Sequence, residues 1–204
     1  MCSSDLFPSH DSKPFSSITA WSEFQPSLAR GIMVGLFMPG STSMIFSIFS
    51  VGIGAVKYAD LSQNRQSAII FEWDKILSFE GNTSPYLQYV YARVQSLLKK
   101  AKEQGISEYG DKLILKESAE RNLALALLQF PSIVLSAANS CKPNLVADYI
   151  FETAKKFNTF YNAIPILKEE NSDVLKSRLL LSEKTGKIMR DGLQLLGIKT
   201  VDRM

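Results

Sequence analysis

One histidine and two cysteines are all that this 204-residue chain offers for metal or nucleophile chemistry. Cys2 and Cys141 lack the CxxC spacing and the second histidine that a metal site needs. A Ser-His or Cys-His machinery would have to use His10, in a stretch with neither helical nor strand period, so hydrolase and zinc chemistry are set aside. Cys141 is expected to be a small buried apolar residue, and both thiols to be free, as in a reducing compartment. A second constellation is Lys155, Lys156, Phe157, Asn158 and Tyr161, with the two aromatics one helical turn apart. An unpaired RNA loop is read by stacking splayed bases on aromatic faces and bonding their edges, while Lys and Arg neutralise the backbone. Aromatics at that spacing are also the usual core stripe of a helix, so both readings stand. The hydroxyl of Tyr161 suits a wet boundary.

Helices must position these residues. The run 85–104 starts with Pro85 and puts Tyr86, Val90, Arg93/Val94, Leu97 and Ala101 on one face, and Gly105 ends it. Ser118 can cap a helix carrying Leu123, Ala124, Leu127 and Leu128. Phe130-Pro131 breaks it from a short apolar helix reaching about Asn139. Pro143 opens a long helix with Val146, Ile150, Ala154, Phe157 and Tyr161 inward, stopped by Pro165. The last helix, 171–196, has Val174, Leu181, Thr185, Ile188 and Leu195 inward and stops at Gly197. No alternating strand and no internal repeat occurs there, so the expected fold is all-α, a helix bundle.

Composition shifts near residue 50. Residues 1–50 hold only Asp5, Asp11, Lys13, Glu23 and Arg30 as charges, whereas residues 51–204 hold 21 basic and 17 acidic side chains. The basic excess is mild. Lys99, Lys100 and Lys102 cluster at a helix end, where cations oppose the helix dipole, so a solvated end is favoured over phosphate contact. Arg93, on an apolar face, is expected to snorkel or pair within the bundle. Gly31–Val56 carries no charge over 26 residues, long enough for a membrane span, yet Pro39-Gly40 and the Ser-Thr-Ser at 41–43 cut it into short pieces. A buried or misplaced apolar segment is the preferred reading.

Three spaced stretches are more specific: VGIGAVKYADLSQNR (Val51–Arg65), Phe71-Glu72-Trp73-Asp74-Lys75, and LSFEGNTSPYLQYVYARV (Leu77–Val94). With Phe130-Pro131, Phe157-Asn158-x-Phe160-Tyr161, Pro165 and the ending Leu195-Leu196-Gly197-Ile198 to Asp202-Arg203-Met204, the chain closely resembles arginyl-tRNA synthetase over residues 51–204.

The resemblance implies a class I aminoacyl-tRNA synthetase, cytoplasmic, monomeric and not membrane-bound, that attaches arginine to its tRNA using ATP in protein synthesis. Residues 51–74 would be the end of the catalytic domain and 75–204 an all-helical anticodon-binding domain. Residues 1–50 are unassigned, chimeric or disordered. The family's His-Ile-Gly-His-like motif and Lys-Met-Ser-Lys-Ser-like loop are not in this sequence. The chain is therefore expected to be inactive alone, with ATP and arginine as substrates of the complete enzyme and no metal in this fragment. Recognition of the arginine tRNA would fall to Lys156, Phe157, Asn158, Tyr161, Arg203 and Met204. Tyr58, Asp60, Gln63 and Arg65 would form a packed junction with the catalytic domain. The competing reading is a stand-alone, non-catalytic RNA-binding or partner-binding helical module.

Overall fold

The structure, a computed structural model, describes residues 42–64, 72–106, 109 and 112–202. The N-terminal Ser/Pro/Phe-rich stretch, most of the charge-free run from Gly31, and Arg65, Phe71, Arg203 and Met204 lie outside the described residues. By compactness the chain divides into Met1–Ile45 and Phe46–Met204. The second unit is the bundle.

Among the described residues there is no strand. The helices are α1 (Thr42–Leu61), a single turn α2 (Trp73–Ile76), α3 (Ser84–Glu103), α4 (Ser118–Leu128), α5 (Phe130–Ser140), α6 (Asn144–Ala163) and α7 (Ser172–Leu195), with a 3-10 turn at Ile166–Lys168. The compositional change at residue 50 falls inside α1. Ile48 is half-buried there, while Phe49 is exposed.

Local chemistry fixes the helix ends. Thr83 Oγ1 accepts from the Tyr86 N–H and Pro85 sits in the first turn of α3, while Gly105 takes a left-handed conformation just beyond its end. Asn171 Oδ1 accepts from the Asp173 and Val174 N–H groups to start α7. Ser118 is not the cap of α4. It is the first helical residue, and the preceding Glu117 forms a reciprocal capping box with Glu120.

Leu87, Val90, Tyr91, Val94, Leu97 and Ala101 of α3 meet Val146, Ile150, Ala154, Phe157 and Phe160 of α6 and Leu181, Met189 and Leu193 of α7 in one core. Leu195, expected inward, is exposed. It lies two residues past Leu193, about 200° around the helix from the buried row. Leu128 is 77% exposed for the same reason, Leu123 and Ala126 being the inward residues of α4. Cys141 is exposed rather than buried, because it occupies the left-handed position closing α5, with φ of 52°, which turns its side chain outward. Ser118–Ser140 is apolar and long enough to cross a membrane by length and composition, but it turns at Gln129 between α4 and α5.

A buried ionic network braces the far end of the bundle. Glu120 Oε2 accepts the N–H groups of Lys116 (2.6 Å) and Glu117 (2.9 Å). Its Oε1 accepts from Arg178 Nε (2.6 Å), and the same guanidinium donates to Glu169 Oε2 (2.6 Å). The N–H of Asn171, more than the Arg178 charge, holds the Glu169 carboxyl below the usual carboxylate range. A depressed folded pKa gives stability that is fully present above the unfolded pKa and lost as pH falls through the folded one. Thermal melts against pH should therefore show wild type above Glu169→Gln at neutral pH, the gap closing on the acid side of the ordinary glutamate range. A gap that is constant with pH would contradict this.

Candidate nucleic-acid interface

On α3, Tyr86, Tyr89 and Arg93 fall at i, i+3 and i+7, one stripe of a helix. Asn158 and Tyr161 face it from α6. Arg93 Nη1 donates to Asn158 Oδ1 (3.0 Å) and its Nη2 to the Tyr89 hydroxyl (2.6 Å). Asn158 Nδ2 donates in turn to the Tyr86 hydroxyl (2.9 Å). The guanidinium carbon lies 4.8 Å from the Tyr89 ring centroid and 5.2 Å from that of Tyr161. All of these partners are neutral, and no carboxylate pairs with Arg93 among the described residues. The guanidinium thus lies between two tyrosine rings with no carboxylate on it, and Tyr89 is 39% exposed beside it. A guanidinium in a fixed orientation next to an open aromatic face is suited to a phosphate and a neighbouring base.

Phe157 is not part of this surface. It is fully buried, packed on Phe160 at 6.1 Å and on Tyr161 at 5.9 Å between ring centroids, so it supports Tyr161 from the core and cannot itself stack a base in this conformation. Tyr161 is half-buried, with its ring against Arg93. Asn158 uses its oxygen on Arg93 and its amide on Tyr86, which makes it an orienting group. Lys155 pairs with Glu152 at 2.9 Å, and Lys156 points to a different groove. Arg93 does pair within the bundle, as its apolar surroundings suggested, and still fronts solvent.

Tyr89 carries no role in the sequence alone, where Tyr86 and Arg93 are bundle residues. The Tyr-x-x-Tyr-x-x-x-Arg spacing was the available signal. Its meaning depends on α6, 65 residues away at Asn158.

The C-terminal segment is tied down up to its last described residue. Gln88 Nε2 donates to the Lys199 carbonyl (2.7 Å) and Lys57 Nζ to the Gly197 carbonyl (2.7 Å), and Ile198 and Val201 are buried. Burial, then the nearby Asp202 charge, pushes the Tyr91 hydroxyl pKa up. At the other side of α1, Tyr58 is buried and its hydroxyl donates to Asn82 Oδ1 (2.5 Å), with the Ala147 carbonyl at 3.1 Å. Asp60 and Gln63 are more open. A cavity of about 490 Å³ beside Tyr58 is lined by Glu72, Asp74 and Glu80 against Lys75, the wrong sign of charge for a polyanion. Lys99, Lys100 and Lys102 are exposed at the end of α3, Lys99 lying 3.9 Å from Glu103.

Residues 87–204 match the family described as the DALR anticodon binding domain, more than half of the chain and all of the elements that build the Tyr–Arg cluster except Tyr86. The chain belongs to this family. The chain is similar to the corresponding part of an arginine–tRNA ligase of Fusobacterium nucleatum, 55% identical over 155 residues, and to that of Chromobacterium violaceum, 49% identical over 155 residues. Each match covers 76% of this chain but only 27% and 26% of those relatives. Among solved structures, Thermus thermophilus arginyl-tRNA synthetase superposes with a TM-score of 0.72 at 29% identity, covering 87% of this chain and 31% of that one. The Plasmodium falciparum arginyl-tRNA synthetase gives 0.71 at 28%, with the same coverage. The DALR domain here therefore corresponds to the C-terminal, all-helical region of such enzymes.

Proposed function

We propose that this chain is the tRNA-recognition part of an arginine–tRNA ligase, binding the anticodon arm of the arginine tRNA. The observation that supports this most directly is Arg93, fixed by three neutral side chains and, among the described residues, left without a counter-charge beside the open face of Tyr89. An unpaired base stacks on Tyr89, a phosphate meets the guanidinium, and Asn158 keeps both groups in place by bonding Arg93 and Tyr86. Tyr161 closes the other side of the guanidinium. The whole enzyme is a cytoplasmic monomer that joins arginine to tRNA with ATP, and its ATP and arginine sites belong to the part of the relatives this chain does not match. The bundle's role is to hold the RNA, not to activate the amino acid.

Binding of an arginine-tRNA anticodon stem-loop, followed by fluorescence anisotropy over a series of salt concentrations, tests the reading. Wild type should bind with a steep salt dependence. Tyr89→Ala and Tyr161→Ala should each weaken binding by roughly 1–3 kcal/mol if a base stacks there, and Arg93→Met should lower the salt slope by about one. The same chain should give no arginine-dependent pyrophosphate exchange. RNA affinity that is equal for wild type and all three variants, or exchange above background, would overturn the assignment.

A further inference from the structure

Phe157 goes to the core, and among the described residues Lys156 is the predicted RNA contact that the fold carries to a different surface. On α6 it lies on the side opposite Asn158 and Tyr161, in a groove of about 320 Å³ lined by Asn122, Leu125, Ala126 and Gln129 on one wall and Lys156 and Thr159 on the other. Of its polar groups, the Thr159 hydroxyl donates to the Lys155 carbonyl (3.1 Å). The carboxamides of Asn122 and Gln129 make no hydrogen bond, and Lys156 no ion pair, with any described residue. Neighbouring Lys155, by contrast, is taken up by Glu152. No acidic residue occurs from Lys155 to Lys168, and Glu152, one turn before Lys156 on the same helix, is paired with Lys155.

The chemistry of the groove is that of a nucleotide. A carboxamide offers both a donor and an acceptor and pairs with the edge of a base. Leu125, 61% exposed, and Ala126 give an apolar wall for the flat face, and Lys156 supplies a cation for the backbone. Asn158 lies within the same turn of α6 as Lys156 and Thr159. A helix with its side chains is about 10–12 Å across, which a few linked nucleotides can cross from the Tyr89–Arg93 face.

We propose that this α4–α6 groove is a second nucleotide subsite, taking an unpaired RNA nucleotide close in sequence to the one at Tyr89 and Arg93. It rests on the RNA-binding reading above. The test uses the full 204-residue chain, labelled with nitrogen-15, and the arginine-tRNA anticodon stem-loop. On addition of RNA the side-chain amide signals of Asn122 and Gln129 should shift. The double variant Asn122→Ala/Gln129→Ala should bind about tenfold more weakly, and Lys156→Met should reduce the salt slope by about one. Unshifted amide signals with affinity and slope unchanged, while Tyr89→Ala still weakens binding, would overturn the subsite and leave the first reading standing. Failure of the wild-type chain to bind the stem-loop at all would overturn both.

Discussion

Replacing Arg178 by methionine should destabilise the bundle by about 3–5 kcal/mol, because it strips the cation from a carboxylate that has no access to water. Glu120 is fully buried, and after the substitution it retains only the two backbone N–H groups of Lys116 and Glu117 as partners. The loss is larger than for the surface pairs Lys75–Glu72 or Lys155–Glu152, where both charges remain hydrated when the partner goes and the change is roughly 0–1 kcal/mol. In a chain of this size the melting temperature should fall by roughly 6–20 °C. The double variant Arg178→Met/Glu120→Gln removes the stranded charge but keeps an acceptor for the two N–H groups, and should recover most of that fall. Thermal denaturation followed by circular dichroism reads both effects. Recovery in the double variant is the decisive part, since simple loss of packing around Arg178 would not be mended by changing Glu120.

Phe157→Ala should be as costly, about 3–5 kcal/mol, for a different reason: it opens a cavity in the middle of the core. Phe157 is fully enclosed between Phe160 and Tyr161, and the helices around it have little freedom to collapse. Its effect on RNA should be confined to the unfolded fraction. Under conditions where the variant remains folded, stem-loop affinity should stay near wild type, whereas Tyr89→Ala should lower affinity with little change in melting temperature. The opposite pattern, weak binding by a fully folded Phe157→Ala chain, would return this residue to the RNA surface.

Those two aromatics show where the sequence was legible and where it was not. Helix boundaries announced themselves through Pro85, Pro143, Pro165 and Gly197, because proline and left-handed glycine act on the backbone within a residue or two. The start of α4 was misplaced by one residue because Glu117 caps with a longer side chain than the usual Ser or Thr. The stripe of α6 is amphipathic in the sequence as in the fold, but periodicity cannot distinguish the centre of a stripe from its margin. Phe157 is at the centre, Tyr161 at the margin. Lys156 and Asn158 flank Phe157 in sequence, yet successive helical residues point about 100° apart, so the two face different sides. The Arg93 cluster is a property of two helices at once. Nothing local to α3 shows that the arginine will be met by an asparagine and a tyrosine instead of a carboxylate. The motifs shared with arginyl-tRNA synthetases gave the bundle its family, but not which of its side chains face outward.

The ties between α1 and the end of the chain have a bearing on how the protein is made. Gly54 lets α1 lie so close to α3 and the terminal segment that an added Cβ would come within 2.9 Å of Ser84 Oγ and 3.0 Å of Ile198 Cγ2, and Lys57 bonds to Gly197, 140 residues further on. At synthesis rates of about 5–20 residues per second, α1 waits roughly 7–28 s for that partner to leave the ribosome. During this interval its docking face is uncovered together with Phe49, Ile53 and Val56, which remain exposed even in the folded unit. Helix α1 is therefore made 140 residues ahead of the carbonyl it bonds to, and is placed only when that segment follows it out.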